Sequence, residues 1–329
     1  MLNDVHHVSM YGMDLAGVQL FMERHFGIVP IKFEGIDEAE PSGARKPAAA
    51  LLKPKVAMFP IGKSLLEFMQ PRARLSRQYD VVRRNGGEPT VSHICWRLEG
   101  ISDRLDELMS RGADMLEKGF AGVSPHGGYY VMNIFAEEAV RGIWFQLAED
   151  LSTDEVKAIE TGEAKAKTHV KEVATSDHRW LASKNGGGML THVHHACYQL
   201  WGLEYILDYM DKVFGVKPFK REDLPTEGVR SASFRFGHTI AQFEEPTTFG
   251  HPGADFALGF STHSGFGGGG VSDVGWAVED LDKRVRELRK DGVKFIQDNP
   301  VASPHGGYRL IDTSPELAGG LKFQLCEDL

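Results

Sequence analysis

Four strand-like stretches in the first half of the chain each carry one polar residue among apolar neighbours: His7 in VHHVSM, Glu67 in SLLEFM, His93 in HICWRL and Gln146 in IWFQLA. Residues two apart on a strand share a face. A carboxylate or amide on a buried face costs free energy unless something binds it. Two imidazoles, one carboxylate and one amide oxygen would together satisfy one divalent transition metal (Fe, Mn, Co, Ni or Zn). Two octahedral positions would remain for water or substrate. Taken singly, each histidine reads as a hydrogen-bonded core residue and Glu67 as a solvent-facing one. Their equivalent places on related strands argue for a shared metal.

Two open positions can hold two neighbouring oxygens of a small organic substrate. The metal then acts as a Lewis acid and stabilises the enolate left when a proton beside a carbonyl is removed. Glu67 is the one ionisable carboxylate of the set, so it is both a ligand and the candidate base. By parity, Tyr11, Met69, Cys95 and Arg97 line the same face as substrate contacts. Arg97 could grip a carboxylate or phosphate through paired hydrogen bonds, or sit in a surface salt bridge. His126 and Tyr129, in the turn SPHGGY, are acid/base candidates. Gly127 and Gly128 suit a tight turn at positive φ, and the turn's survival in a second copy favours a structural role for it. Cys95 reads as a small buried neighbour of His93, without the surroundings of a low-pKa thiol. His6 and His194 alternate outward and read as structural or interface residues.

The elements that position these residues are written twice. VSHICWRLEGISDRLDELMSRGADMLEKGFAGVSPHGGY returns as VSDVGWAVEDLDKRVRELRKDGVKFIQDNPVASPHGGY, with His126 matched by His305. The flanking pieces return as well, IWFQLAEDL as LKFQLCEDL among them. A fixed internal period decides architecture before any single motif does. Each half holds two units in the order strand, helix, further strands, with strands expected at IVPIKFE, AAALLKP, KVAMFPI, SLLEFMQ, ADMLEKG, YYVMNIF and IWFQLAE. Asp14 and Ser102 are expected helix caps. Gly27, Gly112, Gly215 and Gly292 are expected stops. The expected layout is a first domain at 1–151, a polar linker or strap at 152–189 and a second domain at 190–329. The glycine run Gly265–Gly270 and the segment around Pro246 read as loops.

This pattern resembles the vicinal oxygen chelate superfamily, which includes glyoxalase I, methylmalonyl-CoA epimerase and the extradiol dioxygenases. The resemblance implies an α+β fold of four βαβββ units forming two tandem open cups, with metal held by the first and last strands of each unit. Carried onto this sequence, it implies His7, Glu67, His93 and Gln146 as ligands. Gln146 departs from the glutamate common at that place. The second half has His195, Gln242, Asp273 and Gln324 there, a poorer set, so chemistry is expected in the first half and a structural or regulatory role in the second. The implied activity is that of an isomerase, epimerase or lyase working through an enolate. An Fe(II) extradiol-type dioxygenase is the alternative, and a metal-free small-molecule binding protein a further one.

Composition bounds these readings. A net charge of -9 argues against a nucleic-acid surface. The chain has no apolar run long enough for a membrane span. Three cysteines without metal-type spacing fit a reducing compartment. The expectation is a cytoplasmic protein whose partner is a small-molecule substrate, with a homodimer allowed.

Overall fold

The computed structural model describes residues 2–31, 54–72, 74, 76–113, 121–123, 129–135, 143–150, 152, 154, 161, 188–259 and 269–329. Its strands build two sheets. The first holds β1 (Leu2–Tyr11), β2 (Lys55–Ile61), β3 (Ser64–Gln70), β4 (Thr90–Leu98), β5 (Ala121–Val123), β6 (Tyr129–Phe135) and β7 (Trp144–Asp150), in the order β2-β3-β1-β4-β7-β6-β5. The second holds β8 (Leu190–Leu200), β9 (Lys220–Leu224), β10 (Val229–Phe236), β11 (Thr239–Pro246), β12 (Gly269–Val278), β13 (Val301–Ala302), β14 (Tyr308–Asp312) and β15 (Gln324–Asp328). Its order is β13-β14-β15-β12-β8-β11-β10-β9. In each repeat the first strand pairs in parallel with the last: β1 with β3, β4 with β7, β8 with β11 and β12 with β15. The remaining hairpin partners are antiparallel, as in β2 with β3 and β10 with β11.

The helix between first and second strand of each repeat is tied to that repeat's last strand. Gln70 Oε1 accepts from Leu15 N at 3.1 Å, and Glu149 accepts from Gly100 N at 2.7 Å and Ile101 N at 3.0 Å. Glu245 accepts from Gly202 N at 2.7 Å and Glu327 from Leu281 N at 3.3 Å. These four acceptors each stand three positions after Glu67, Gln146, Gln242 and Gln324. An odd separation on a strand puts the two residues on opposite faces. One face of each last strand therefore serves the candidate site, and the other serves the orphan N–H groups of a helix start.

This arrangement corrects the expected cap at Ser102. The helix Ile101–Ser110 begins after Gly100, in left-handed conformation at φ 68°, and its first N–H groups go to Glu149. Asp14 does cap the helix Leu15–Phe21, accepting from Gly17 N at 2.9 Å. That helix widens into a π turn, Met22–Phe26, before Gly27 closes it. The helices Leu203–Phe214 and Leu281–Lys290 lie where the pattern put them. Two further helices, Arg77–Arg84 and Pro252–Gly259, were not expected; the second follows the segment around Pro246 read as a loop. Gly269 and Gly270, read as loop, open β12. A Cβ on Gly269 would lie 2.8 Å from the Gln199 carbonyl oxygen, which is why glycine stands there. Of the strand expected at IVPIKFE, Ile31 forms an isolated bridge to Met58 and the residues after it lie outside the described ones. The stretch AAALLKP before Pro54, ADMLEKG after Ala113 and the linker beyond Ser152, Asp154 and Thr161 also lie outside them.

By proximity the chain divides into two compact units, one of Met1–His6, His93–Leu181 and His195–Ser272, the other of His7–Ser92, Ala182–His194 and Asp273–Leu329. In the first, Phe145 of β7 packs on Tyr209 and Phe214 of the helix Leu203–Phe214, at 6.2 and 5.9 Å between ring centroids. In the second, Phe323 stacks on Phe21 at 5.5 Å and meets Phe26 edge-on at 5.0 Å. Phe145 and Phe323 are the same position of the repeat (WFQL and KFQL). Each helix-side core thus joins the second repeat to the third, or the first to the fourth.

Candidate metal centre

β1 and β3 run in parallel with His7 beside Leu65, Ser9 beside Glu67 and Tyr11 beside Met69. In-register neighbours share a face and side chains alternate, so His7, Tyr11, Glu67 and Met69 point the same way. His7 is 2% and Glu67 4% exposed. A carboxylate this buried carries a desolvation cost that a cation or several donors must offset.

β4 and β7 form the second pair, with Cys95 beside Gln146. His93 shares the face of Cys95, and its Nε2 lies 3.1 Å from Gln146 Oε1, with both residues buried. Two readings fit that distance. It is an ordinary hydrogen bond, and it is also the edge between neighbouring octahedral ligands, which stand about 3 Å apart when ligand bonds are about 2.1 Å. His7 and Glu67 are buried on one strand pair, and His93 and Gln146 on the other. The chemistry of the set, imidazole, carboxylate and amide oxygen, suits Fe, Mn, Co, Ni or Zn.

His6 and His194, read as structural or interface residues, are buried. Their Nε2 atoms sit 3.2 Å from Asp150 Oδ1 and 3.1 Å from Asp328 Oδ1, so the same His–Asp tie joins the first and last strands in both halves. Burial pushes the Cys326 thiol far up, which keeps it protonated.

Of the proposed substrate contacts, Tyr11 and Cys95 are buried and Met69 is half-buried. The Arg97 guanidinium is held by Asp150 Oδ2 at 3.3 Å and by the Val5 carbonyl at 3.0 Å. His126 lies outside the described residues; Tyr129 opens β6, and its side chain is likewise not described. The second SPHGGY copy is described, and there Gly306 and Gly307 take φ of 71° and 80°, the positive values that call for glycine.

The second half ties three of its four matching residues to other partners. Gln242 Nε2 donates to Glu244 Oε1 at 3.0 Å, and Gln199 donates to the other oxygen of the same carboxylate. Asp273 meets Lys322, and Gln324 donates to Asp312. His195 is buried on the face of Cys197, the residue that pairs with Gln242. Glu244, Asp312 and Lys322 escaped the sequence analysis. The signal for them was there: the repeat aligns them with Met69, Asn133 and Trp144, each an exchange of a neutral residue for a charged one.

Residues 194–310 match a family profile described as the Glyoxalase/Bleomycin resistance protein/Dioxygenase superfamily. No curated protein matches the sequence. Among solved structures, the chain is similar to a triple mutant of 4-hydroxymandelate synthase from Streptomyces coelicolor, with 15% identity and a TM-score of 0.64 over 99% of this chain and 93% of that one. It also matches methylmalonyl-CoA epimerase from Mycobacterium tuberculosis, with 21% identity and a TM-score of 0.36 over 43% of this chain and 90% of that one. A Streptomyces coelicolor methylmalonyl-CoA epimerase in complex with 2-nitronate-propionyl-CoA matches with 21% identity and a TM-score of 0.34, over 42% and 96%. The likeness to the synthase extends over both sheets and is one of fold.

Proposed function

We propose that this chain, a tandem vicinal oxygen chelate protein by its fold and by the superfamily match of residues 194–310, is a divalent-metal-dependent enzyme. It would act in its first half on a small organic substrate with two neighbouring oxygens. The observation that carries the proposal is that His7 and Glu67, facing the same way on one parallel strand pair, are both buried; His93 is the proposed third donor. Gln146, 3.1 Å from His93, supplies the fourth donor. When bound, the metal supplies Lewis-acid stabilisation of negative charge developing on a substrate oxygen.

The remaining work falls to the chain's own residues. Tyr11, Met69 and Cys95 present a largely apolar surface that excludes water from the reacting carbon. Glu67 takes the proton beside the substrate carbonyl; in an epimerase a proton is then delivered to the opposite face of that carbon by a second group, and in an isomerase to the neighbouring carbon. In a lyase the electron pair left by proton removal expels a group from the neighbouring carbon. A substrate carboxylate reaching Arg97 must share the guanidinium with Asp150. His126 and Tyr129 remain the proposed acid/base partners.

Proton exchange tests this reading. Incubation in D2O with small acyl thioesters and 2-oxo or 2-hydroxy acids, with Mn2+ or Co2+ present, is expected to deuterate one of them next to its carbonyl, read by NMR. Glu67→Gln is expected to slow that exchange by about 10²–10⁴-fold; exchange at an unchanged rate in the variant overturns the role of Glu67. The composition of the proposed donor set, with two histidines and one carboxylate, also suits an iron oxygenase. That second reading predicts oxygen uptake with catechols and no deuterium incorporation.

A further inference from the structure

The two halves hold different residues at the same register positions, and three of the exchanges in the second half are charged and meet one another. Cys95 beside Gln146 sets His93 beside Trp144, and Gly275 beside Gln324 sets Asp273 beside Lys322. Asn133 lies across from Gln146, and Asp312 across from Gln324. His, Trp and Asn of the first half are therefore Asp, Lys and Asp in the second.

Lys322 Nζ lies 2.8 Å from Asp273 Oδ1 and 3.7 Å from Asp312 Oδ1. Asp312, 7% exposed, also accepts from Gln324 Nε2 at 3.2 Å and Gln297 Nε2 at 2.8 Å, while its own N–H donates to Gln297 Oε1. Two buried or half-buried carboxylates in one place require a counter-charge. The Lys322 side chain is 40% exposed; partial desolvation would lower its pKa, but Asp273 and Asp312 outweigh it and the shift is upward. The glutamine shared by both halves is used in opposite senses. Gln146 presents its oxygen to His93, whereas Gln324 presents its nitrogen to Asp312.

We infer that Lys322 is a built-in cation that occupies the place of a divalent metal in the second half and so confines metal binding to the first. Three exchanges that supply one cation and two carboxylates, all in contact, are what such a replacement needs. A single drifted position would not produce them. A fixed ammonium there repels an incoming dication and already neutralises Asp273, the carboxylate that would attract one. Lys322 thereby determines which half of the chain takes metal, and in that respect the inference rests on the first-half metal reading.

Two measurements test it, one of them independent of that reading. In chelator-treated, metal-free buffer, Lys322→Met is expected to lower the thermal unfolding midpoint by several degrees. Adding Asp273→Asn and Asp312→Asn to the same chain is expected to restore most of the loss, because the neutral set needs no counter-charge. If Lys322→Met alone does not fold, folding of the triple variant is the same result in stronger form. After equilibration with Mn2+ or Zn2+ and desalting, the wild type is expected to hold one metal and Lys322→Met two. The second metal is expected to be lost again in Lys322→Met/Asp273→Asn. A wild type that already takes a second metal, removed by Asp273→Asn or by Cys326→Ser, overturns the inference. So does a Lys322→Met chain with unchanged midpoint and unchanged metal content. A wild type with no metal contradicts the first-half reading instead and leaves the metal-free unfolding series to decide on Lys322.

Discussion

His7 and Glu67 on one parallel strand pair, and His93 and Gln146 on another, are the residues on which the functional account turns. The burial of all four was legible because strand parity is rigid: once an apolar alternation is recognised, a polar residue on the buried face stands out. The partners of polar residues were not legible, since they depend on side chains brought together from distant parts of the chain. His6 and His194 were assigned outward by parity, yet both are buried against aspartates 144 and 134 residues away. Glu244 and its donor Gln199, 45 residues away, went unseen for the same reason. Gln146 is the informative residue at this scale, being a neutral donor where a charged one fits. Gln146→Glu should raise affinity for Mn2+ or Co2+ by about tenfold or more, since an anionic ligand in a buried site binds a dication more strongly than a neutral one. Chelator competition measures it, and equal affinity in the variant would remove Gln146 from the ligand set.

The last strand of every repeat does two jobs with two residues three apart. One residue faces the candidate site, and the other accepts from the N–H groups at a helix start. The motif was visible as EFMQ, QLAE, QFEE and QLCE. Its meaning was not, because a cap supplied from another strand lacks the local spacing that marks a cap such as Asp14. Carboxylates at a helix start gain from the N–H groups and from the helix dipole. Glu149→Ala should therefore cost about 1 kcal/mol of stability. Urea unfolding would show it as a lower midpoint at unchanged slope, with Glu149→Gln recovering part of the loss. A loss below a few tenths of a kcal/mol would mean that Gly100 and Ile101 find other acceptors.

At the scale of the whole chain the duplication was plain in the sequence, and so was the order of elements in each repeat. The two helix-side cores were hidden. Nothing in the apolar pattern of WFQL or KFQL says that Phe145 packs on rings from the third repeat, or that Phe323 packs on rings from the first. An aromatic on a strand announces burial without naming its partner. What duplication does offer is a comparison of each site position with its copy, and that comparison separates the halves. The first keeps two histidines, a carboxylate and an amide as candidate ligands, while the second ties three of its four matching residues to Glu244, Lys322 and Asp312. The division of labour between the halves is the central claim, and metal content tests it most directly. Wild type, His7→Ala and His195→Ala would be equilibrated with Mn2+, Co2+ or Zn2+, desalted and analysed by mass spectrometry for metal per chain. The account predicts one metal in the wild type and in His195→Ala, and none in His7→Ala. A metal kept by His7→Ala, or lost from His195→Ala, would contradict it.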